Sequence, residues 1–339
     1  MITDNAYATI LLCSYLDTKT TNYKPYTALQ WSKLVSMIIN SSIKEPAALL
    51  NMSQEDISKN LDVAMNEAAR ISNLLSRGGN MAFALEDLER KGINVITRSD
   101  KHYPNRLKSL LKKNAPPILY YCGDISIANQ KGIAIVGSRN IDDDAEKFAQ
   151  ELARKAADEN LVIYSGGARG IDVISENAAL NSGGKVVSVL ADSLVKKIKK
   201  KDIRNRITNG QLLLLSAINP DAPFSAGSAM NRNKYVYSLS QGAFIIASNY
   251  NKGGTWAGAT ENIENEWVNS FVWNTMNYKG NSELIKKGAE PIDSLVNISI
   301  DLLIGEKKSK LEQLELFKSD YDYPRNKNIS LLKENSGEN

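Results

Sequence analysis

The chain has 339 residues, of which 42% are hydrophobic and 24% are charged, so at roughly 100–200 residues per domain it is long enough for about two globular domains. Its 42 Lys and Arg residues exceed its 38 Asp and Glu residues by four, which argues against a histone-like polyanion binder but permits a local basic groove. Two distant cysteines, Cys13 and Cys122, argue against a disulfide scaffold, a zinc ribbon or an iron–sulfur site, and the single histidine, His102, excludes multi-histidine metal centres. We expect no metal and no cofactor.

The apolar runs are too short for a membrane span, which needs about 18–20 residues. Residues 1–5 lack the basic and apolar regions of a signal peptide. We therefore expect a soluble cytoplasmic protein whose two cysteines are free thiols.

The first 90 residues have a helical pattern. Apolar residues recur at spacings of three and four within residues 6–16, 29–39 and 54–75, and Ser53 with Asp56 marks a helix start. Residues 93–96 alternate like a strand instead. The sequence therefore predicts a small helical N-terminal domain over residues 1–90.

Continuous apolar runs alternate with helix-length segments after residue 90. The runs cover residues 133–136, 161–164, 186–190, 212–215 and 244–247. Such runs are typical of strands buried on both faces of a parallel sheet, so a doubly wound α/β domain is predicted within residues 91–305. Residues 306–339 are charged and rich in Asn and Ser, which predicts a flexible tail.

Three loops that follow predicted strands carry the candidate binding residues. The first is Gly137-Ser138-Arg139, a turn that presents a guanidinium suited to two phosphate oxygens. The second is glycine-rich and leads into a helix, so its amide groups would attract phosphate; it consists of Ser165, Gly166, Gly167, Ala168, Arg169 and Gly170. The third contains Lys252, Gly253, Gly254 and Thr255. We expect all three loops to converge on one edge of the sheet.

Further polar residues have two interpretations each. Asp172 is interpreted as a helix cap or a brace for its loop in preference to a catalytic group. Arg232, Asn233 and Lys234 are expected to open a helix near the same edge. A basic run either lines a channel for a phosphate backbone or forms a solvated face; it comprises Lys196, Lys197, Lys199, Lys200, Lys201, Arg204 and Arg206.

Two aromatic residues lie beside these elements in the sequence. Phe224 and Trp256 could stack on bases, as proteins that bind single strands require. For Trp256, packing in the core is the preferred interpretation.

Several motifs occur in the order seen in the DNA-processing protein A (DprA/Smf) family, which the chain resembles over roughly residues 85–300. They are residues 92–97, Tyr103-Pro104, residues 117–120, 136–139 and 165–172, Arg232-Asn233, Leu239-Ser240 and residues 288–291. The resemblance implies an extended Rossmann-like fold that binds single-stranded DNA, forms a homodimer and delivers the strand to a RecA-type recombinase without being an enzyme.

Carried over by position, Arg139 would be the main phosphate-binding residue, the loop from Ser165 to Gly170 would hold backbone phosphate, and Arg232 and Lys234 would flank the pocket. The chain departs from the family pattern at Glu176, where the family has His. The resemblance therefore implies a divergent member, whose cellular role is transformation, recombination or phage defence.

Two other interpretations remain open. The loop at Gly253-Gly254-Thr255, with Glu261 beyond it, also resembles nucleotide-sensing and phosphoribohydrolase relatives of the wider superfamily, although the spacing differs. In that alternative Glu261 would act at the ribose. In the tail, residues Gln313, Leu314, Leu316 and Phe317 resemble the short peptide with which bacterial replication proteins bind the β sliding clamp.

Overall fold

A computed structural model describes residues 2–18 and 21–305. The predicted tail, with its clamp-like peptide at Gln313, Leu314, Leu316 and Phe317, lies outside the described residues. None of the described helices is both long and apolar enough to cross a bilayer.

The first 90 residues form helices, as their apolar spacing predicts. The helices are α1 (Asp4–Cys13), α2 (Ala28–Asn40), α3 (Gln54–Leu61), α4 (Met65–Leu75) and α5 (Gly78–Arg90). Ser53 caps α3 by accepting a hydrogen bond from the Asp56 amide, which confirms the predicted start. The pattern over residues 54–75 is two helices and not one, because Asp62 takes a left-handed conformation at φ 51° and ends α3.

A sheet of nine strands follows in the described part of the chain. The strands are β1 (Asn94–Thr97), β2 (Ile118–Cys122), β3 (Gly132–Val136), β4 (Val162–Ser165), β5 (Val186–Leu190), β6 (Leu212–Ser216), β7 (Gly242–Ile245), β8 (Asn269–Trp273) and β9 (Glu290–Ile292). The helices between and after them are α6 (Asn105–Leu111), α7 (Asp143–Asp158), α8 (Ile171–Asn181), α9 (Leu194–Lys197), α10 (Lys201–Thr208), α11 (Ala226–Leu239), α12 (Gly253–Asn265), α13 (Lys279–Lys286) and α14 (Ile300–Gly305).

The strand order β1-β2-β6-β5-β4-β3-β7-β8-β9 defines a doubly wound sheet. Strands β3 to β9 pair in parallel, whereas β2 pairs antiparallel with β6 and β1 antiparallel with β2. From β3 the chain proceeds through β4, β5 and β6 in one direction, and later through β7, β8 and β9 in the other. The direction of winding therefore switches between β3 and β7, which is where such sheets bind ligands.

Both faces of the sheet are covered, which explains the continuous apolar strands. In β6, Leu212 and Leu214 belong to one core, while Leu213 and Leu215 belong to the other. The first core also contains buried residues of α1 to α5, α7 and α8, and the second contains those of α6, α11 and α12. The N-terminal helices thus share a continuous core with the sheet, and their independence as a domain stays a prediction.

Candidate functional site

The loops after β3, β4 and β7 meet at the carboxyl edge of the sheet, as predicted. The Ser138 amide donates to the carbonyl of Ala247 at 2.9 Å, and the Ser138 carbonyl accepts from the Ile171 amide at 3.3 Å. Ser138 therefore joins the end of β7 to the start of α8. This junction lies at the point where the winding direction switches.

Glycines allow the first two loops to approach so closely. Gly170 has φ +82°, and a Cβ there would lie 2.3 Å from the Ser138 carbonyl oxygen. A Cβ on Gly137 would lie 2.3 Å from Cγ1 of Ile171. Both positions require glycine, because any side chain would push the two loops apart.

Arg139 leaves this junction towards solvent. Its side chain is exposed, and its guanidinium carbon lies 5.3 Å from the centroid of the Phe224 ring. Phe224 is itself 52% exposed and lies in the segment between β6 and α11. That segment is held against the start of α9, because the Pro220 carbonyl accepts from the Val195 amide and the Ser193 hydroxyl, both at 3.1 Å. Arg139 and Phe224 therefore place an exposed cation beside an exposed aromatic ring.

More exposed cations lie along the same edge. Arg169 follows β4 and Lys252 precedes α12, and both are exposed. Within residues 2–18 and 21–305, neither these two residues nor any member of the basic run over residues 196–206 forms an ion pair. The exposed members of that run are Lys196, Lys199, Lys200, Lys201 and Arg204. Arg206 differs, since its guanidinium donates to the Leu180 carbonyl and to Asn181.

The β4–α8 loop differs from the predicted phosphate cradle. The Ser165 hydroxyl is fully buried and donates to the Ile135 carbonyl at 2.8 Å. The Gly167 amide donates to Glu176 at 2.9 Å, and the Ala168 amide donates to Asp172 at 3.4 Å. Two carboxylates of the chain thus accept hydrogen bonds from amide groups that were predicted to bind phosphate. The interpretation of Asp172 as a brace for its loop is confirmed.

Arg232 also differs from the prediction, because it lies in the second turn of α11 and is only 7% exposed. Its Nη1 lies 3.5 Å from Oδ2 of Asp172. Gly166 makes room for this pair, since a Cβ there would lie 1.0 Å from Nη1 of Arg232. Arg232 therefore neutralises a buried carboxylate, and in this conformation its guanidinium does not face solvent.

Burial affects both acidic groups beneath the loop. It raises the pKa of Asp172, an effect that the charge of Arg232 opposes. It raises the pKa of Glu176 to about 7, against the opposing charge of Lys197. Desolvation penalises the ionised carboxylate and exceeds the attraction of the nearby cation in each case.

The β7–α12 loop is tied to α11. The Asn233 side-chain amide donates to the Gly254 carbonyl at 2.9 Å. Gly253 has φ +85° and open space around it, and it is exposed together with Gly254, whereas Thr255 is half-buried. Asn233 thus has a structural contact, while the exposed glycines leave the start of α12 accessible.

Lys234 and Glu261 face each other from α11 and α12. Lys234 is half-buried, and burial lowers its pKa while the charge of Glu261 raises it. Glu261 lies in the middle of α12, beyond the loop at the sheet edge. This placement gives Glu261 an electrostatic partner within the fold.

Sequence reasoning missed two features of this edge. Lys279 lies with its Nζ 5.1 Å from the ring centroid of Tyr250, which packs edge-on against the buried Trp256. Asn281, fully buried, accepts from the Ser248 amide and donates to the carbonyls of Ile246 and Trp273. No local pattern in the sequence indicates the contacts of Lys279 with Tyr250 or of Asn281 with Ile246, because these residues lie far apart in the chain. Trp256 itself is buried, which confirms the core position predicted for it.

Comparison with known proteins agrees with this fold. A family model described as DNA recombination-mediator protein A matches residues 94–302. The chain belongs to this family. The resemblance inferred from the motifs is thereby confirmed.

Curated members of the family match with modest identity. The DNA processing protein DprA of Bacillus subtilis is 27% identical over 166 residues, which are 48% of this chain and 55% of that protein. The Streptococcus pneumoniae protein of the same name is 30% identical over 156 residues, 45% of this chain and 54% of that protein. The chain thus spans about half the length of the curated relatives it matches.

A solved structure confirms the family fold over a longer stretch. The structure of DNA processing protein A from S. pneumoniae aligns with a TM-score of 0.63 at 22% identity. The alignment covers 86% of this chain and 95% of that one. The Rossmann-like fold is therefore shared along most of the described residues.

Proposed function

We propose that this family member binds single-stranded DNA through its phosphate backbone at the carboxyl edge of the sheet, between β3 and β7. The observation that carries the proposal is the exposed guanidinium of Arg139 over the exposed ring of Phe224, at the point where the winding direction switches. A guanidinium binds two phosphate oxygens at once, and an exposed ring offers a face on which a base stacks.

The other cations at this edge support the same substrate. Arg169, Lys252 and the exposed Lys and Arg residues of the basic run carry positive charge without an ion-pair partner among the described residues. The phosphates of a DNA backbone would pair with these cations. Because such contacts involve no base edges, we expect little sequence preference and a strong dependence on salt.

The proposal includes a role and partners. The chain would act without catalysis, as a cytoplasmic recombination mediator that protects the strand and passes it to a RecA-type recombinase. It would do so as a homodimer, in DNA uptake, recombination or phage defence. Residues 313–317, which include Gln313 and Phe317, would bind the β sliding clamp.

The test is fluorescence anisotropy of labelled oligo-dT and of labelled duplex across a salt series. The variant Arg139→Ala removes the central guanidinium, and Arg154→Ala removes an exposed guanidinium from α7 as a matched control. We expect Arg139→Ala to weaken binding of oligo-dT about ten- to a hundredfold, since hydrogen bonds to charged groups contribute about 1.5–3 kcal/mol. The control should bind as the parent does.

Two results would contradict the proposal. Equal affinity of Arg139→Ala and Arg154→Ala would reject the site. Absence of binding to oligo-dT at low salt, with saturable binding of a mononucleotide, would favour the nucleotide-sensing alternative instead.

A further inference from the structure

Glu176 lies directly beneath the loop that leads from β4 to α8. It is on α8 and only 7% exposed. Its Oε1 accepts from the Gly167 amide at 2.9 Å and from the Ser188 hydroxyl of β5 at 2.8 Å. A glycine-rich loop at a helix N-terminus is where proteins bind anions. Here the buried carboxylate of Glu176 already accepts the hydrogen bond of the Gly167 amide, so that amide is not free to bind a phosphate oxygen.

The charges that face Glu176 come from three elements. Asp172 lies one turn earlier on α8 and accepts from the next amide of the loop, that of Ala168. Lys197 of α9 attracts the Glu176 carboxylate, and Arg232 of α11 pairs with Asp172. Two buried carboxylates therefore balance two cations. A phosphate added at the loop would be a third anion close to these two, and their burial weakens the screening of the repulsion.

We infer that Glu176 determines whether the β4–α8 loop accepts a phosphate of the DNA strand. With its carboxylate ionised, Glu176 holds the Gly167 amide inward and repels the strand, which is then bound only by Arg139 and the other exposed groups of this edge. With a neutral side chain at position 176, the loop accepts a phosphate as well. Glu176 acts through the loop and is a positioning residue. This inference rests on the proposed function and concerns the strength and pH dependence of the same site.

The inference has a pH signature. Because burial raises the pKa of Glu176 to about 7, the fraction of molecules with a neutral Glu176 rises as the pH falls from 8 to 6. Affinity for DNA rises with it, and binding takes up protons. The chain has one histidine, His102, for which the pH series needs a control. It follows β1, four strands away from β4, and the variant His102→Gln removes its contribution.

The experiment measures affinity for oligo-dT between pH 6 and 8 in the His102→Gln background. Glu176→Gln keeps the size of the side chain but removes its charge, so the Gly167 amide and the Ser188 hydroxyl face only a neutral, weaker acceptor that a phosphate oxygen can replace. Glu264→Gln removes the same charge from an exposed position on α12 and serves as the control. We expect the background protein and the control to bind about tenfold more tightly at pH 6 than at pH 8. Glu176→Gln should bind tightly at both.

The results separate this inference from the proposed function. If Glu176→Gln has the affinity and the pH dependence of the control while Arg139→Ala still loses binding, the inference is overturned and the proposed function stands. If the background protein fails to bind at any pH, the proposed function is overturned and this inference with it. If Glu176→Gln does not fold, the number of protons taken up on DNA binding tests the inference. It is measured by titration calorimetry of the background protein in two buffers of different ionisation enthalpy. Zero proton uptake at pH 7 overturns the inference.

Discussion

Replacing Gly166 with alanine tests how the fold neutralises the acidic group beneath the site. The added methyl carbon would lie 1.0 Å from Nη1 and 2.0 Å from Cζ of Arg232. No rotation of the methyl group relieves such overlap, so the guanidinium must leave its place beside Asp172. Asp172, at 6% exposure, then has no cation against it.

The cost follows from the buried pair. Removing one partner of a buried ion pair destabilises a protein by about 3–5 kcal/mol, because the other charge stays buried without compensation. Asp172 can avoid part of that cost by taking up a proton, since burial already raises its pKa. A carboxyl whose pKa is higher in the folded state destabilises the fold above that pKa. The loss of stability should therefore be larger at pH 8 than at pH 5.

The assay is urea unfolding at both pH values, with Gly79→Ala as the control. Gly79 is exposed at the start of α5, and a Cβ added there would meet nothing within 4 Å, so alanine there should stabilise the protein by at most about 0.5–1 kcal/mol. In an Arg232→Ala background, Gly166→Ala should cost far less than alone, because the overlapping group is absent. A loss below about 1 kcal/mol in the parent, or the same loss in both backgrounds, would refute this reasoning.

Four further outcomes are expected. Phe224→Ala should weaken binding of oligo-dT by about 1–3 kcal/mol while Phe224→Tyr retains it, as base stacking predicts; equal affinities in anisotropy would contradict the stacking role. Lys200→Ala combined with Arg204→Ala should lower the slope of log affinity against log salt by about 1.4, at about 0.7 for each lost phosphate contact, and an unchanged slope would leave these residues as a solvated face. Asn281→Ala breaks three buried hydrogen bonds and should cost about 2–4 kcal/mol in urea unfolding; a cost below 1 kcal/mol would mean that the strand ends are held otherwise. Glu261→Gln should leave DNA affinity unchanged, whereas loss of mononucleotide binding in that variant would favour the nucleotide-sensing alternative.

Most of the fold was predictable because its strands are continuous apolar runs. The prediction for residues 186–190 coincides with β5, and the other five predicted strands differ from those observed by at most two residues at each end. Strands β2, β8 and β9 were missed, and so was the antiparallel pairing of β1 and β2. Pairing partners lie far apart in the chain, as Tyr120 and Ser216 do, and no local pattern encodes them.

The site was predicted unevenly. Ser138 and Arg139 lie where a loop after a strand should lie, because their position depends only on where β3 ends. Arg232 and Ser165 were expected to face a ligand and are buried. Basic and polar residues have the same sequence signature whether they bind a phosphate or pair with a group inside the fold, so only the folded structure distinguishes the two.

The sequence by itself determined the α/β class, the glycine-rich loops at one edge and the family, since each follows from residue types at short spacing. The tertiary structure sets which charged side chains stay exposed and unpaired, and so able to bind a ligand. Asp172 and Arg232 are 60 residues apart and neutralise each other, while Glu176 occupies a loop amide. Arg139 stays exposed over Phe224. Burial and pairing set the electrostatics of a side chain, and both depend on residues that only the folded chain brings together.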